Sequence, residues 1–175
     1  MIKILDRLRG ILFFWNNDVK IKRGKRSFFS FGFIFGYRVK CDVMFTDSCL
    51  YKYNNRFDQD INTLFGFTSR LFSGQRKNSA RFGWNCDGDG KISLYCCVYD
   101  HGVKIVEKCV SVETFIPYGL KIHETRGTYR FIIDKKVIFI KKSKRGRFKL
   151  RRFIKPFFDG NMTAPSDMEI YMRIK

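Results

Sequence analysis

The sequence contains little histidine, little proline and few acidic residues. Of its 175 residues, two are histidine, three are proline and 16 are aspartate or glutamate. The six cysteines include no C-x-x-C pair, so the closely spaced soft ligands of a structural zinc site are missing. A phosphate-binding loop, a G-x-G-x-x-G fingerprint and a G-x-S-x-G elbow are missing too. The sequence therefore offers no familiar motif for nucleotide binding or serine hydrolysis.

Long hydrophobic runs are absent as well. No stretch approaches the roughly 18 apolar residues that a membrane-spanning helix needs. The first 15 residues, MIKILDRLRGILFFW, instead place apolar residues at helical spacing among basic ones. This pattern predicts a short amphipathic helix, and it lacks the small-residue cleavage site of a secretory signal. We assign residues 1–36 to a basic, aromatic N-terminal segment, whose helix packs on the domain or contacts a membrane surface.

The net charge of the chain is +19, from 35 basic and 16 acidic residues. The excess lies at the two ends, because residues 1–40 and 141–175 each carry a net charge of +8. Such an excess favours anionic partners: nucleic acid, acidic glycan, a membrane surface or an acidic protein face. A coding genome that is rich in Lys, Phe, Ile and Asn codons would explain the same excess without any partner.

Apolar and polar residues alternate through most of the chain after position 36. The clearest unit is residues 78–112, where three alternating runs are separated by the turn sequences DGDG and HG. Short turns between alternating runs predict an antiparallel meander. Further alternating runs occur at residues 37–45, 128–141 and 168–174. We count roughly nine to twelve strands and little helix, which predicts an all-β sandwich or barrel over residues 37–175.

Several segments of this domain resemble an uncharacterised family of gut Bacteroidota and their tailed phages. They are DQDINTLFGF (58–67), NSARFGWN (78–85), GKISLYCCVYDHG (90–102) and PFFDGNMTAPSDMEIYM (156–172). The resemblance covers residues 37–175 and implies an antiparallel jelly-roll β-sandwich of the concanavalin A or laminin G type. It also implies a lectin-like or virion-associated role, in a virion or in the host cytoplasm during assembly. The family's histidine-rich stretch before N-S-A-R is replaced here by SGQRK (73–77).

The cysteines bear on the compartment in which the protein folds. Adjacent Cys96 and Cys97 would point to opposite faces of a strand. We interpret all six cysteines as free thiols, which favours a reducing compartment. A disulfide, for example between Cys41 and Cys109, remains an alternative that the sequence does not decide.

Polar residues on the outward side of the predicted strands form a candidate glycan site. In a jelly roll one sheet is concave, and aromatic rings on such a face can pack on sugar C–H groups while Arg and Asn bind hydroxyls or carboxylates. The candidates for this concave face are Arg81, Asn85, Tyr95, Tyr99, Arg130 and Tyr171. The alternative is an ordinary solvent-facing sheet. Trp84 lies on the apolar side of its run and is predicted to belong to the core.

A dense basic run forms a second candidate site, for an anionic partner. Its members are Lys141, Lys142, Lys144, Arg145, Arg147, Lys149, Arg151 and Arg152, with Phe148 and Phe153 interleaved. Such a run can neutralise phosphates and stack bases, as nucleic-acid-binding proteins do. An acidic glycan, an acidic protein partner or a solvated hairpin tip would explain it equally well.

Metal binding and catalysis have little support. Residues 85–90 match the opening of a calcium loop, but its twelfth position is Cys96 rather than a bidentate Glu, so a hairpin turn is favoured. We predict no metal and no cofactor. No spacing singles out the two carboxylates of a glycosidase, although Tyr95 and Arg81 could serve a polysaccharide lyase.

These observations lead to a ranked set of functions. The first is a non-catalytic module, either a glycan-recognising lectin-like domain or a virion-associated protein that binds other virion proteins. The alternatives are a basic nucleic-acid-binding protein and a polysaccharide lyase.

Overall fold

The computed structural model describes residues 17–25, 32–51, 60–69, 74–86, 90–125, 127–142, 150–159 and 163–175. These ranges contain twelve β-strands and one short 3-10 turn at Asp47–Cys49, and no α-helix. The amphipathic helix predicted within the first 15 residues lies outside them. Within the described ranges, no helix is long and apolar enough to cross a membrane.

The strands are arranged in two antiparallel sheets of six. They are β1 (Asn17–Ile21), β2 (Gly32–Phe35), β3 (Arg38–Phe45), β4 (Asn62–Thr68), β5 (Ser79–Cys86), β6 (Ile92–Asp100), β7 (Val103–Val112), β8 (Tyr118–Thr125), β9 (Thr128–Ile133), β10 (Lys136–Lys142), β11 (Leu150–Ile154) and β12 (Met168–Ile174). Sheet I has the order β1-β12-β3-β8-β9-β10, and sheet II has the order β2-β11-β4-β5-β6-β7. The predicted all-β antiparallel jelly-roll sandwich is confirmed.

The core lies between the sheets and is built by the alternation seen in the sequence. Strands β3 and β5 each turn every second residue inward, and those residues are buried in one continuous apolar cluster. Aromatic rings join the two layers: Phe82 of sheet II meets Phe131 of sheet I at 5.2 Å between ring centroids. Trp84 is fully buried and lies 5.4 Å from Phe45, which confirms its predicted place in the core.

The sandwich begins earlier in the chain than the boundary at residue 37. Strand β1 pairs with β12 at the edge of sheet I, and β2 pairs with β11 at the edge of sheet II. Strands of four or five residues are too short to give a clear period-two signal, so their alternation did not stand out in the sequence. Part of the predicted N-terminal segment therefore belongs to the two sheets.

Candidate functional site

The outer face of sheet II is covered where β4 and β5 run. All seven residues of β4 and all eight of β5 are buried, although their polar residues lie outside the apolar core cluster. Two residues outside the strands reach this face at Arg81 of β5. The Gln75 carbonyl accepts a hydrogen bond from Arg81 Nη2, and the Asp159 carboxylate lies 3.6 Å from Arg81 Nη1. A sheet face covered in this way can hold polar side chains in a fixed arrangement.

Arg81 lies at the centre of this covered face and is 1% exposed. Its Nε donates to Ser79 Oγ at 3.0 Å, its Nη1 donates to Thr63 Oγ1 at 3.2 Å, and its Nη2 donates to the Gln75 carbonyl. The guanidinium lies 4.5 Å from the centroid of the Tyr99 ring. Burial lowers the pKa of Arg81, whereas Tyr99 and Asp159 favour its charged form. Because a buried cation is costly unless it is paired and hydrogen-bonded, these contacts hold Arg81 as a structural centre.

Asp159 connects the buried arginine with an exposed one. Its carboxylate lies 3.6 Å from Arg81 Nη1 and accepts a hydrogen bond from Arg76 Nη2 at 2.9 Å. The Arg76 side chain is 68% exposed, whereas that of Asp159 is 9% exposed. The Asp159 amide donates to Asn62 Oδ1 at 3.1 Å, and Asn62 Nδ2 donates to the hydroxyl of Tyr51 at 3.0 Å. This network ties the segment around Asp159 to β4 and orients Arg76 at the rim of the face.

Beyond Arg76 at the rim, this face has accessible side chains on β6 and β7. Tyr95 pairs with Lys108, and Tyr99 pairs with Lys104. On this face of the sheet, each tyrosine therefore lies directly opposite a lysine of the neighbouring strand. Both lysines are exposed and Tyr95 is half-buried. Tyr95, Lys104 and Lys108, unlike Arg81, are therefore within reach of a ligand in solution.

The floor beside these side chains is shallow. Gly83 pairs with Tyr95, and a Cβ at Gly83 would lie 2.5 Å from Ile61 Cγ2 and 3.2 Å from Cys97 Sγ. The depression that Gly83 lines, together with Tyr99 and Lys104, has a volume of about 10 Å³, which is room for one water molecule. A ligand here would lie across the surface rather than in a pocket.

The structure divides the six residues predicted to form a concave glycan face. Arg81, Asn85, Tyr95 and Tyr99 share the outer face of sheet II, on β5 and β6. Arg130 lies on β9 and Tyr171 on β12, both in sheet I, with their neighbours in sequence packed in the core. These two residues therefore lie on the opposite side of the sandwich. The alternation identified the polar side of each strand, but it does not tell which sheet a strand joins.

Four further side chains belong to the face of sheet II, and no sequence motif marks them. They are Arg76, Lys104, Lys108 and Asp159. The alternation of β7 places its lysines on one side, but only the pairing register shows that they face tyrosines. Asp159 lies in a turn-rich segment where local pattern gives no signal.

The basic run divides in a similar way. Lys144, Arg145, Arg147 and Lys149 lie outside the described residues, as does the side chain of Lys142. Lys141 lies on β10 of sheet I, and Arg152 is half-buried on β11. Arg151 was predicted to meet an external anion, and this is wrong.

Arg151 points into the core, because the register of β11 turns it to the same side as Phe153. Its Nη2 lies 2.5 Å from Glu124 Oε2, and both side chains are 0% exposed. Its guanidinium is 5.1 Å from the ring centroids of Tyr37 and Phe67. The charge of Arg151 is therefore paired with Glu124 in the core and is not exposed to an external anion.

The two histidines lie outside strands β4, β5, β6 and β7, which form this face. No group of three His, Cys, Asp or Glu side chains in those ranges could hold a metal ion. His101 occupies the turn between β6 and β7, and His123 lies on β8 of sheet I. The aspartates of the calcium-like sequence, Asp87 and Asp89, are outside the described residues.

Comparison with known proteins identifies the fold. No family model matches the chain, and no curated protein sequence is similar to it. The alginate lyase AlyC3 is 12% identical, with a TM-score of 0.57, over 91% of this chain and 69% of the lyase. A structure titled for endo-acting O-glycanases of the human gut microbiota that initiate mucin breakdown is 11% identical, with a TM-score of 0.57, over 90% of this chain and 78% of its own.

A third similar structure is a functionally unknown protein from Saccharomyces cerevisiae. It is 10% identical, with a TM-score of 0.57, over 90% of this chain and 86% of its own. At such low identity these likenesses establish the fold alone. This chain therefore has the jelly-roll sandwich fold that carbohydrate-active proteins also use.

Proposed function

We propose that this protein binds an acidic glycan, without catalysis, across the outer face of sheet II. The observation that carries the proposal is the pairing of Tyr95 with Lys108 and of Tyr99 with Lys104, which sets each ring beside a cation. Arg76 adds a third exposed cation at the rim. In the described part of the chain, the carboxylate of Asp159 lies next to these groups. It is already paired with Arg76 and Arg81.

Each group on this face has a chemical role toward such a ligand. The ring of Tyr95 offers an apolar surface to sugar C–H groups, and lysine ammonium groups pair with carboxylate or sulfate as point charges. The guanidinium of Arg76 retains donors beyond the one that Asp159 accepts, because arginine carries five N–H groups. Exposed ion pairs each contribute up to about 1 kcal/mol, so several of them must act together.

The likeness of fold supports a glycan as the class of ligand. An alginate lyase and a structure titled for mucin O-glycanases have this fold, and the lyase has also been seen with dimannuronate. Function in such folds is set by the residues of the site rather than by the fold. The charge of the present site is what selects acidic over neutral glycans.

The proposal is tested by calorimetric titration with alginate, polygalacturonate and heparin, with laminarin as a neutral control. We expect binding to at least one acidic polymer and none to laminarin. The double variant Lys104→Ala/Lys108→Ala should weaken binding about tenfold, which corresponds to about 1.4 kcal/mol. The control Lys40→Ala/Lys136→Ala removes the same charge from exposed positions of sheet I and should leave affinity unchanged. Equal affinity of the two double variants would contradict the proposal.

A polysaccharide lyase is the second candidate, because the Tyr99 ring lies directly over the Arg81 guanidinium. In that reading the Tyr99 phenolate would take a proton from the sugar, and the exposed Lys104 opposite it would stabilise the developing charge, while the buried Arg81 would position the ring. Lyase activity would appear as new ultraviolet absorbance from unsaturated sugar ends when the same acidic polymers are incubated with the protein. Flat absorbance with measurable binding would favour the non-catalytic function.

Two other readings stay predictions. Nucleic-acid binding rests on the basic run, much of which lies outside the described residues, and predicts affinity for DNA that falls steeply with salt. The virion-associated role, with its location in a virion or in the host cytoplasm, rests on the family resemblance.

A further inference from the structure

Two cysteines on neighbouring strands bring their sulfur atoms together. Cys96 Sγ of β6 and Cys109 Sγ of β7 are 2.6 Å apart, and both cysteines are free thiols. Lys108 and Val110 pair with successive residues of β6, Tyr95 and Leu94. Cys109, which lies between them, therefore has no paired residue on β6. An irregularity of this kind re-aims a side chain. Here it directs Cys109 to the core-facing side of β6, where Cys96 lies.

The two thiols have different surroundings. Cys96 is fully buried in the core, whereas Cys109 is half-buried on the edge strand of sheet II. The hydrogen bond with Cys109, together with burial, raises the pKa of Cys96. The same hydrogen bond lowers the pKa of Cys109, against the effect of burial. The thiolate therefore forms at Cys109, the sulfur that a reagent in solution can reach.

We propose that Cys96 and Cys109 are a redox-active pair, which a small disulfide such as oxidised glutathione converts into an inter-strand disulfide. In the first step the Cys109 thiolate attacks one glutathione sulfur, the glutathione S–S bond breaks, and one glutathione thiolate leaves. In the second step Cys96 loses its proton and its sulfur attacks Cys109 Sγ, which releases the second glutathione. Two protein thiols are oxidised, one glutathione disulfide is reduced, and the two protons pass to the departing thiolates.

The second step is favoured by the geometry of the pair. Once Cys109 is a mixed disulfide, the hydrogen bond that most strongly raises the pKa of Cys96 is lost. Cys97 is an unsuitable partner, because it pairs with Arg81 and Val106 on the outer face of sheet II. The product would fix the edge strand β7 to β6. This inference is independent of the proposed glycan binding.

Peptide mapping tests the proposal on the full chain. The protein is incubated with excess oxidised glutathione, its remaining thiols are alkylated, and it is digested with trypsin. Cleavage after Lys91, Lys104, Lys108 and Lys121 places Cys96 in peptide 92–104 and Cys109 in peptide 109–121. We expect these two peptides to be joined by a disulfide that dithiothreitol removes. Recovery of both peptides unlinked, alkylated or carrying glutathione, would overturn the proposal.

Single variants identify the sulfurs, because peptide 92–104 contains Cys96 and Cys97. Cys97→Ser should retain the linked pair of peptides. Cys96→Ser should stop at the mixed disulfide, with glutathione retained on peptide 109–121. A link that survives in Cys96→Ser would refute the assignment. Fragmentation of the linked wild-type peptides distinguishes Cys96 from Cys97 directly, so the test does not depend on the folding of any variant.

Discussion

At the scale of single residues, two buried arginines in the described part of the chain are costly to keep out of water. Arg81 is compensated on the outer face of sheet II by Asp159 and by neutral acceptors. Arg151 is compensated inside the sandwich by Glu124, which belongs to the opposite sheet. Taking two charges out of water costs several kcal/mol per ion, and their attraction offsets this cost only while both are present. Loss of either partner should therefore be far more damaging than loss of a surface ion pair.

We expect Glu124→Gln to destabilise the protein by about 3 kcal/mol or more, because it leaves Arg151 buried without a counter-charge. Glu169→Gln is the control, since Glu169 pairs with Lys20 at 3.3 Å on the surface, where a pair contributes at most about 1 kcal/mol. Urea unfolding monitored by tryptophan fluorescence measures both changes. Similar losses in the two variants would show that the buried pair is not important for stability. The double variant Glu124→Leu/Arg151→Met should regain much of the loss, because it removes both charges.

At the scale of strands, the pairing register sets charges beside one another on the outer face of sheet I. Arg38 of β3, His123 of β8 and Arg130 of β9 are register partners in one row. Like charges directly opposite each other on one face are unfavourable. Burial and the neighbouring cations Lys121, Arg38 and Arg130 lower the pKa of His123. A single histidine on an alternating strand gave no sign of this environment in the sequence.

This row makes stability depend on pH. Because the folded pKa of His123 lies below its ordinary value of 6.5, the unfolded chain binds the proton first as the pH falls. The free energy of unfolding should therefore decrease from pH 7.5 to pH 5.5, and His123→Gln should make that decrease smaller. An NMR titration should find a pKa of His123 below 6.5, and Arg130→Gln should raise it. A value above 6.5 in the wild-type protein would contradict this account.

At the scale of the whole molecule, positive charge is present on both outer faces of the sandwich. Lys104 and Lys108 lie on the outer face of sheet II, whereas Arg38 and Arg130 lie on the outer face of sheet I. Because the net charge is +19, the positive charges within the folded protein repel one another at low ionic strength. The same field would draw an anionic ligand toward the sheet II face from a distance of about 10 Å at 0.1 M salt.

Screening this repulsion should stabilise the fold. We expect the thermal midpoint of unfolding to rise between 20 mM and 500 mM sodium chloride, because compact like charges gain more from screening than the expanded chain does. A parallel series in sorbitol of equal osmolarity separates screening from the exclusion of solute. A midpoint that falls with salt would mean that favourable ion pairs outweigh the net repulsion.

The sequence by itself determined the fold class and the composition of the core. Side chains of a strand alternate between its faces whatever the surroundings, so the period-two pattern already separated Trp84 and Phe82, which are buried in the core, from Tyr95 and Lys104. Local turn chemistry likewise marked the hairpin between β6 and β7, where His101 and Gly102 both adopt positive φ.

Only the tertiary structure decided which polar residues meet. In the folded protein Tyr95 pairs with Lys108, and Arg130 and Tyr171 lie in the opposite sheet. Arg151 points inward and contacts Glu124. These outcomes depend on sheet order and register, which are fixed by pairings between distant segments, such as β1 with β12 and β2 with β11. A one-residue shift of register exchanges the two faces of a strand, and such long-range pairing leaves no local pattern in the chain.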